Sequence, residues 1–457
     1  MSESIGNTGK GMKLHTKILI GLAVGAVLGI TANATVGGTS PTVVNINKYV
    51  AGPAGQIFLR MLFMIVVPLV FASISLGVAG LGDLKRVGRV GGKAIGYFLV
   101  STALAATLGL IVVSVVRPGE RIPEATRHEL MATYSTDASS KVEAAATSDF
   151  GVQTLVNIVP RNPVKAAADL DMLGIIFFGL VFGAALTMIA VERAKSMLAF
   201  LEALNDIVIK IVEIAMRIAP YGVAALIFGV TSRFGFDVVK LLGWYVAAVI
   251  GSLLLHVLIN ISAILRFLVG ISPWHFFARV KSALVTAFST SSSSATLPTA
   301  IATAEDNLGI PRQIAGFVLP LGSTMCMNGT ALFEGMTVIT LAQAFGVHLG
   351  LGKMIAVMIM SVITAVGAAG VPGGSIPLLV GVLTMFGIPA EGIAIVLGVD
   401  RILDMSRTTV NVCGDLSAAA WVAKAEGIWN PSMVPATEGL LERGKLDESP
   451  NWPKPKV

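Results

Sequence analysis

Asp400-Arg401-Ile402-Leu403-Asp404-Met405-Ser406-Arg407-Thr408-Thr409-Val410-Asn411-Val412-Cys413-Gly414-Asp415 is the stretch on which the reading of this chain turns. Wound as a helix at ~100° per residue, it gathers Asp400, Asp404, Arg407, Thr408, Asn411 and Asp415 within an arc of about 100°. Met405, Val410 and Cys413 point elsewhere, and Arg401 is turned about 100° from Asp400. Residues 376–399, just before it, are apolar except for Glu391, so the polar stripe is expected at membrane depth. A charge there costs at least ~2.5 kcal/mol unless paired or hydrated, and such charges usually mark a substrate or ion pathway. Three carboxylates and one guanidinium on one face leave a net negative site with one fixed positive group. That combination suits a cation bound beside a small anionic ligand. A structural ion-pair network is the competing reading, but one Arg leaves two of the three carboxylates unneutralised.

Composition agrees with a membrane setting. The 457 residues are 54% hydrophobic and only 13% charged, against ~25% charged in an average soluble chain. The mean hydropathy is +0.80. Long apolar runs predict an all-α polytopic membrane protein rather than a barrel, whose short segments would alternate. The net charge of +6 needs no nucleic acid, because Lys and Arg cluster at the ends of apolar runs. With only Cys326 and Cys413 there is no disulfide framework. No cleavable signal peptide is evident, and the Pro-rich end at 451–457 is expected to be disordered.

The expected organisation is a cytoplasmic N-terminus (1–15), helices one to three (16–116) and an extracellular loop (117–169). Helices four to six (170–272), a transport core (273–425) and a cytoplasmic tail (426–457) follow. Within these, spans are expected at 16–34, at 57–81, ending at 116, at 173–191 and at 238–268. The run 201–230 is amphipathic and reads as a long, tilted helix that starts in the interface. Basic clusters before the first span and after the second, fourth and sixth put both termini in the cytoplasm of a multi-pass protein of the plasma (inner) membrane.

Beyond His275 the simple pattern fails. Apolar runs are broken by Ser289-Thr290-Ser291-Ser292-Ser293-Ser294 and Pro298, by residues 322–330, and by Gly367-Ala368-Ala369-Gly370-Val371-Pro372-Gly373-Gly374-Ser375. Irregular backbone at membrane depth is tolerated where it is buried in protein or lines a polar cavity, and paired interrupted segments point to a transporter's midplane site. A Ser run between apolar helices favours a re-entrant tip offering hydroxyls and amides to an anion over a flexible linker. Three glycines and a proline within 370–374 exceed what a kink needs and favour a second tip. Asn328-Gly329-Thr330 either satisfies a helix break or serves the site. Glu334, four residues beyond Thr330, must be paired, hydrated or protonated in such surroundings.

Four segments then match together: residues 291–298, Met327-Asn328-Gly329-Thr330-Ala331-Leu332, Val371-Pro372-Gly373-Gly374 and the Asp400 to Asp415 stretch. In that order they resemble the signatures of the dicarboxylate/amino acid:cation symporters, which include archaeal aspartate transporters and the excitatory amino acid transporters. The similarity runs from the first span to about Ala425. It implies eight transmembrane helices and two re-entrant hairpins, in a homotrimer whose transport domain moves against a scaffold as an elevator. The first hairpin falls at about 274–306, the seventh helix at 311–344, the second hairpin at 353–387 and the eighth helix at 391–425.

The resemblance also implies residue roles. Asp404 accepts the substrate ammonium, and Arg407 pairs with the side-chain carboxylate, for which a planar fork suits better than Lys. Asn411 with the Ser292/Ser293 tip holds the α-carboxylate, and Thr330 and Thr408 add hydroxyls. Val371, Gly374 and Ser375 belong to the external gate. One sodium site uses Asp415 with carbonyls near Gly322, Cys326 and Asn411. A second uses carbonyls near Thr324 and at Ala365, Val366 and Ala368. Glu334 matches the proton-carrying glutamate of the excitatory transporters. The expected function is cation-coupled (Na+ and/or H+) symport of glutamate or aspartate, with no other cofactor; a C4-dicarboxylate:cation symporter is the alternative.

Three departures bear on coupling. Sodium-coupled relatives read Asn-Met-Asp-Gly-Thr where this chain reads Cys326-Met327-Asn328-Gly329-Thr330, and the third-helix Tyr of their pattern is Phe98 here. Hard cations want oxygen ligands, and thiol is a poor substitute. A third sodium site is therefore expected to be damaged. A channel would show polar stripes on several helices, whereas the polar positions here concentrate in the last third. A serine hydrolase would need a base, and none of His15, His128, His256, His275 or His348 stands in a suitable motif.

Overall fold

The computed structural model describes residues 14–79, 84–121, 123, 159–168, 172–368 and 370–433. Most of the expected extracellular loop and of both terminal segments, the Pro-rich end included, lies outside the described residues. Among those described, the chain is helical with no strand. Besides two six-residue helices (Pro41–Ile46 and Pro163–Ala168), the α-helices are α1 (Leu14–Val36), α2 (Gly52–Phe63), α3 (Val66–Ala79), α4 (Leu84–Val116), α5 (Met172–Met188), α6 (Val191–Phe234) and α7 (Phe236–Leu255). They continue with α8 (Pro273–Thr290), α9 (Ser293–Ala302), α10 (Arg312–Met325), α11 (Asn328–Ala344), α12 (Leu351–Val366), α13 (Ile376–Met385) and α14 (Ile393–Ala425). Four helical stretches among the described residues are long and apolar enough to cross a membrane: Thr16–Val36, Arg89–Arg121, Val191–Phe234 and Phe236–Val269.

Three expectations need correction. The second span is not continuous: it breaks at Met64 and Ile65 between α2 and α3. Pro68 explains the break, since it has no N–H to give Met64 and its ring crowds that carbonyl. The amphipathic run begins at Val191 rather than near 201 and extends for 44 residues, about 66 Å at 1.5 Å per residue. The seventh-helix interruption, expected over 322–330, is confined to Cys326 and Met327, whose ψ angles of 71° and 52° leave the helical region.

Polarity is inverted relative to a soluble protein. Val115, Phe267 and Met188 are exposed, while Glu334, Asn328, Thr337 and Thr364 are fully buried. Apolar surface of that kind suits lipid, and the polar groups turn to one another. α1 lies closely along α6 through Gly21, Gly25 and Gly29, spaced four apart on one face. A Cβ at these positions would collide with Pro220 O, Ala224 O and Thr231 Oγ1. Small residues at this spacing allow the backbone contact that drives helix association in lipid.

α14 runs through the middle of the molecule, packed by α6, α7, α8, α10 and α11. Its N-terminal half joins a core with α6, α7, α11 and α13. Its C-terminal half joins a second core with α8 to α10 and the start of α4. Met405, Val410 and Cys413, expected on another face from the stripe, are therefore buried as well. The polar stripe is one sector of a largely buried helix.

Candidate functional site

The two interrupted pairs α8/α9 and α12/α13 bring their tips together against α14. At the first tip, Ser291 takes a left-handed conformation (φ 52°) and ends α8. Ser292 is extended, and its hydroxyl accepts the Ala295 N–H at 3.1 Å, capping α9. Adjacent serines thus stop one helix and start the next. The Ser292 hydroxyl also donates to Gly370 O at 2.6 Å, and Ser294 N–H reaches the same carbonyl at 3.1 Å. Both tips are in this way tied through Gly370.

Beneath them is a small cavity of about 20 Å³, lined by Ser291, Ser293, Met327, Thr330, Ala368, Gly370, Val371, Ser375, Asp404, Arg407, Thr408 and Asn411. Eight of the ten substrate positions named from sequence line it. Ser292 and Gly374 do not: the Ser292 hydroxyl is engaged with Gly370, and Gly374 N–H donates to Val371 O at 3.0 Å. Four lining residues were not among those ten, namely Ser291, Met327, Ala368 and Gly370. A left-handed tip residue and a shared carbonyl leave no mark in side-chain chemistry.

Arg407 is fixed from three directions. Its Nη1 lies 2.8 Å from Asp400 Oδ1, its Nη2 lies 2.9 Å from Asp404 Oδ1, and the guanidinium sits 4.2 Å from the Phe333 ring centre. Asp404 Oδ2 accepts the Gly373 N–H of the second tip at 3.0 Å. The expectation of a single guanidinium in the stripe is corrected by Arg401, which is 7% exposed with Nη1 3.6 Å from Asp404 Oδ2. Positions three apart are neighbours on a helix; the wheel angle to Asp400 alone had hidden this one.

Asn411 joins helices. Its Oδ1 accepts Gly329 N–H at 2.8 Å, and its Nδ2 donates to Thr330 Oγ1 at 3.1 Å. α11 starts so close to α14 that a Cβ on Gly329 would stand 2.9 Å from Arg407 Cα. Gly329→Ala is therefore expected to force the helices apart under Arg407 and destabilise the protein by ~1–3 kcal/mol. A thermal unfolding midpoint in detergent equal to wild type would contradict it.

The cation-linked positions divide. Asp415 is buried, with Oδ1 beside Gly322 and without a hydrogen-bond partner. Cys326 is buried, and its N–H takes the Gly322 carbonyl at 2.8 Å. Thr324 is exposed and its hydroxyl donates to Leu321 O at 2.9 Å. Ala365 O accepts Ala368 N–H at 3.1 Å, and Val366 is half-buried. Asn328 is engaged on both sides: Oδ1 accepts from Thr102 Oγ1 at 2.7 Å, and Nδ2 donates to Ser101 Oγ at 2.8 Å. Phe98 is buried beside Gly322. Glu334 is fully buried, with Oε2 2.6 Å from Thr364 Oγ1 and Oε1 unpartnered.

Comparison with known proteins bears on all of this. The sodium:dicarboxylate symporter family matches residues 14–425. A proton/sodium-glutamate symport protein of Bacillus subtilis is 35% identical over 95% of this chain and 97% of its own length. The proton/glutamate-aspartate symporter of Escherichia coli is 35% identical over 95% and 98%. A C4-dicarboxylate transport protein of Bacillus subtilis is 33% identical over 85% and 90%. With nearly the whole helical region matched and relatives aligned end to end, this multi-pass membrane chain belongs to the sodium:dicarboxylate symporter family, a family of transporters and not of enzymes.

Proposed function

We propose that the chain is a secondary active transporter that takes up glutamate or aspartate together with Na+, H+ or both, across the plasma membrane. One observation carries this reading: Asp404 and Arg407 face each other at 2.9 Å in the wall of a small cavity whose other polar side chains are hydroxyls and the Asn411 amide. A zwitterion with a second carboxylate exchanges that internal ion pair for two external ones. Its ammonium goes to Asp404 and its side-chain carboxylate to Arg407, while Asn411, Thr408, Thr330 and the serine tip are at hand for the α-carboxylate. Val371 and Ser375, on the second tip, would close above it. No histidine lines the cavity, which tells against a serine hydrolase. Counter-flow in proteoliposomes with acidic amino acids, neutral amino acids and dicarboxylates tests the reading. Exchange of neutral amino acids in preference to acidic ones would refute it.

A C4-dicarboxylate is the alternative substrate, since Arg407 serves either and one relative bears that name. Asp404 separates the two. Asp404→Asn is expected to weaken aspartate at least tenfold more than succinate, which has no ammonium to lose. Competition against labelled substrate measures this, and equal losses would make Asp404 structural or cation-linked.

For the cations, we assign Asp415 to a sodium site, because a buried carboxylate oxygen without a partner is costly. Backbone oxygens near Gly322, Cys326 and Asn411 would supply the rest, and a second site would use those near Thr324 and at Ala365, Val366 and Ala368. The third site of sodium-coupled relatives is closed, since Asn328 is neutral and already bonded to Thr102 and Ser101. A proton on Glu334 takes over part of the coupling. Thr364 has one O–H, and its oxygen also lies 2.7 Å from Met360 O, which can only accept. If Thr364 donates there, the 2.6 Å contact is bridged by a proton on Glu334.

Topologically, this reading groups α2 with α3 and α10 with α11. That makes eight transmembrane helices with α8/α9 and α12/α13 as the two hairpins, in an elevator-type homotrimer. Cytoplasmic termini are supported by a basic cluster at one end of the molecule. Arg89 and Lys93 each lie 2.7 Å from Glu426, and Lys424 reaches Leu268 O at 2.9 Å.

A further inference from the structure

Arg401 is the buried charge at the site that no transport role has yet used. Its Nε and Nη1 have no hydrogen-bond acceptor among the described residues, although the side chain is 7% exposed. Its approach to Asp404 Oδ2, at 3.6 Å, is too long for a hydrogen bond. A structural ion pair would close to a fork with two short N–H···O contacts, as Arg407 does with Asp400 and Asp404. Arg401 therefore acts on Asp404 through its field and not by filling that carboxylate's lone pairs.

The consequence lies in charge balance. Asp400, Arg401, Asp404 and Arg407 together carry two positive and two negative charges, and without Arg401 the set is net negative. We propose that Arg401 is a positioning residue that sets how strongly the site prefers substrates bearing an ammonium over C4-dicarboxylates lacking one. By offsetting Asp404, it loosens the hold on an amino acid's ammonium and reduces the repulsion of a substrate with none. Oδ2 accepts one hydrogen bond, from Gly373 N–H, and Arg401 makes none to it, so a second lone pair is left for the ammonium. The proposal rests on the transport reading above.

The test compares wild type with Arg401→Met, Arg401→Gln and Arg401→Lys in proteoliposomes, by exchange of labelled L-aspartate and its competition by succinate. Arg401→Met should lower the KM for aspartate and raise the inhibition constant of succinate. Their ratio should move at least tenfold, or about 1.4 kcal/mol of discrimination. Arg401→Lys, which keeps the charge, should hold the wild-type ratio. Arg401→Gln supplies the same comparison if the Met variant does not fold. In an Asp404→Asn background the shift should vanish, as a double-mutant cycle requires of coupled residues. An unchanged ratio, an aspartate KM that rises together with the succinate constant, or a shift that persists without Asp404 would each overturn the proposal. Wild-type vesicles that exchange no acidic substrate would instead refute the transport reading itself.

Discussion

Replacement of Arg407 by cysteine is expected to abolish uptake of acidic substrates, with a fall of a hundredfold or more in kcat/KM for aspartate and glutamate. Arg407 is 2% exposed and neutralises both Asp400 and Asp404. Truncating one partner of a buried, hydrogen-bonded charge set costs ~2–5 kcal/mol, much of it from the charges left behind. Arg401 approaches only Asp404 and cannot compensate Asp400 across the gap. Loss of the guanidinium also removes the cation stacked on Phe333. An acidic side chain then meets net negative charge, whereas a small neutral amino acid keeps Asp404 for its ammonium. Uptake of neutral amino acids is therefore expected to emerge. Size-exclusion and thermal unfolding establish that the variant is folded; undiminished aspartate and glutamate transport in a folded variant would remove Arg407 from the substrate site.

The second large effect concerns Glu334. Glu334→Gln is expected to retain substrate exchange while net uptake falls to a few per cent of wild type. The amide mimics the protonated acid: it can still donate toward Thr364, and it carries no charge to bury. Loading proceeds, but the proton that must leave on the cytoplasmic side is no longer there to leave. In wild-type vesicles an inward pH gradient should drive uptake with sodium held equal on both sides. The physical basis is that Asn328 is neutral and bonded to Thr102 and Ser101, so the position offers no carboxylate to a third sodium ion. Uptake that ignores the pH gradient and rises with the third power of sodium would show that another residue completes that site and that Glu334 is not the coupling group.

The membrane class, the interruptions after His275 and the polar stripe of α14 were legible in the sequence. Each rests on a local property: hydropathy over a window, a cluster of helix-stopping residues, or spacing along one helix. The order Asp400, Asp404, Arg407, Asn411 needed only the 3.6-residue repeat. Four motifs in order sufficed to suggest the family. What tertiary structure decided is which of these groups meet. Arg407 could be placed on a face, but only packing against α11 set it over Phe333 and between two carboxylates. Ser292 looks like a substrate ligand by type, yet the meeting of the two tips commits its hydroxyl to Gly370, 78 residues away in sequence. The angle of Arg401 from Asp400 places it off the stripe, whereas packing buries it to 7% exposure within 3.6 Å of Asp404. Periodicity assigns a residue to a face; what that face touches depends on helices far apart in sequence, and that information exists only once they are packed.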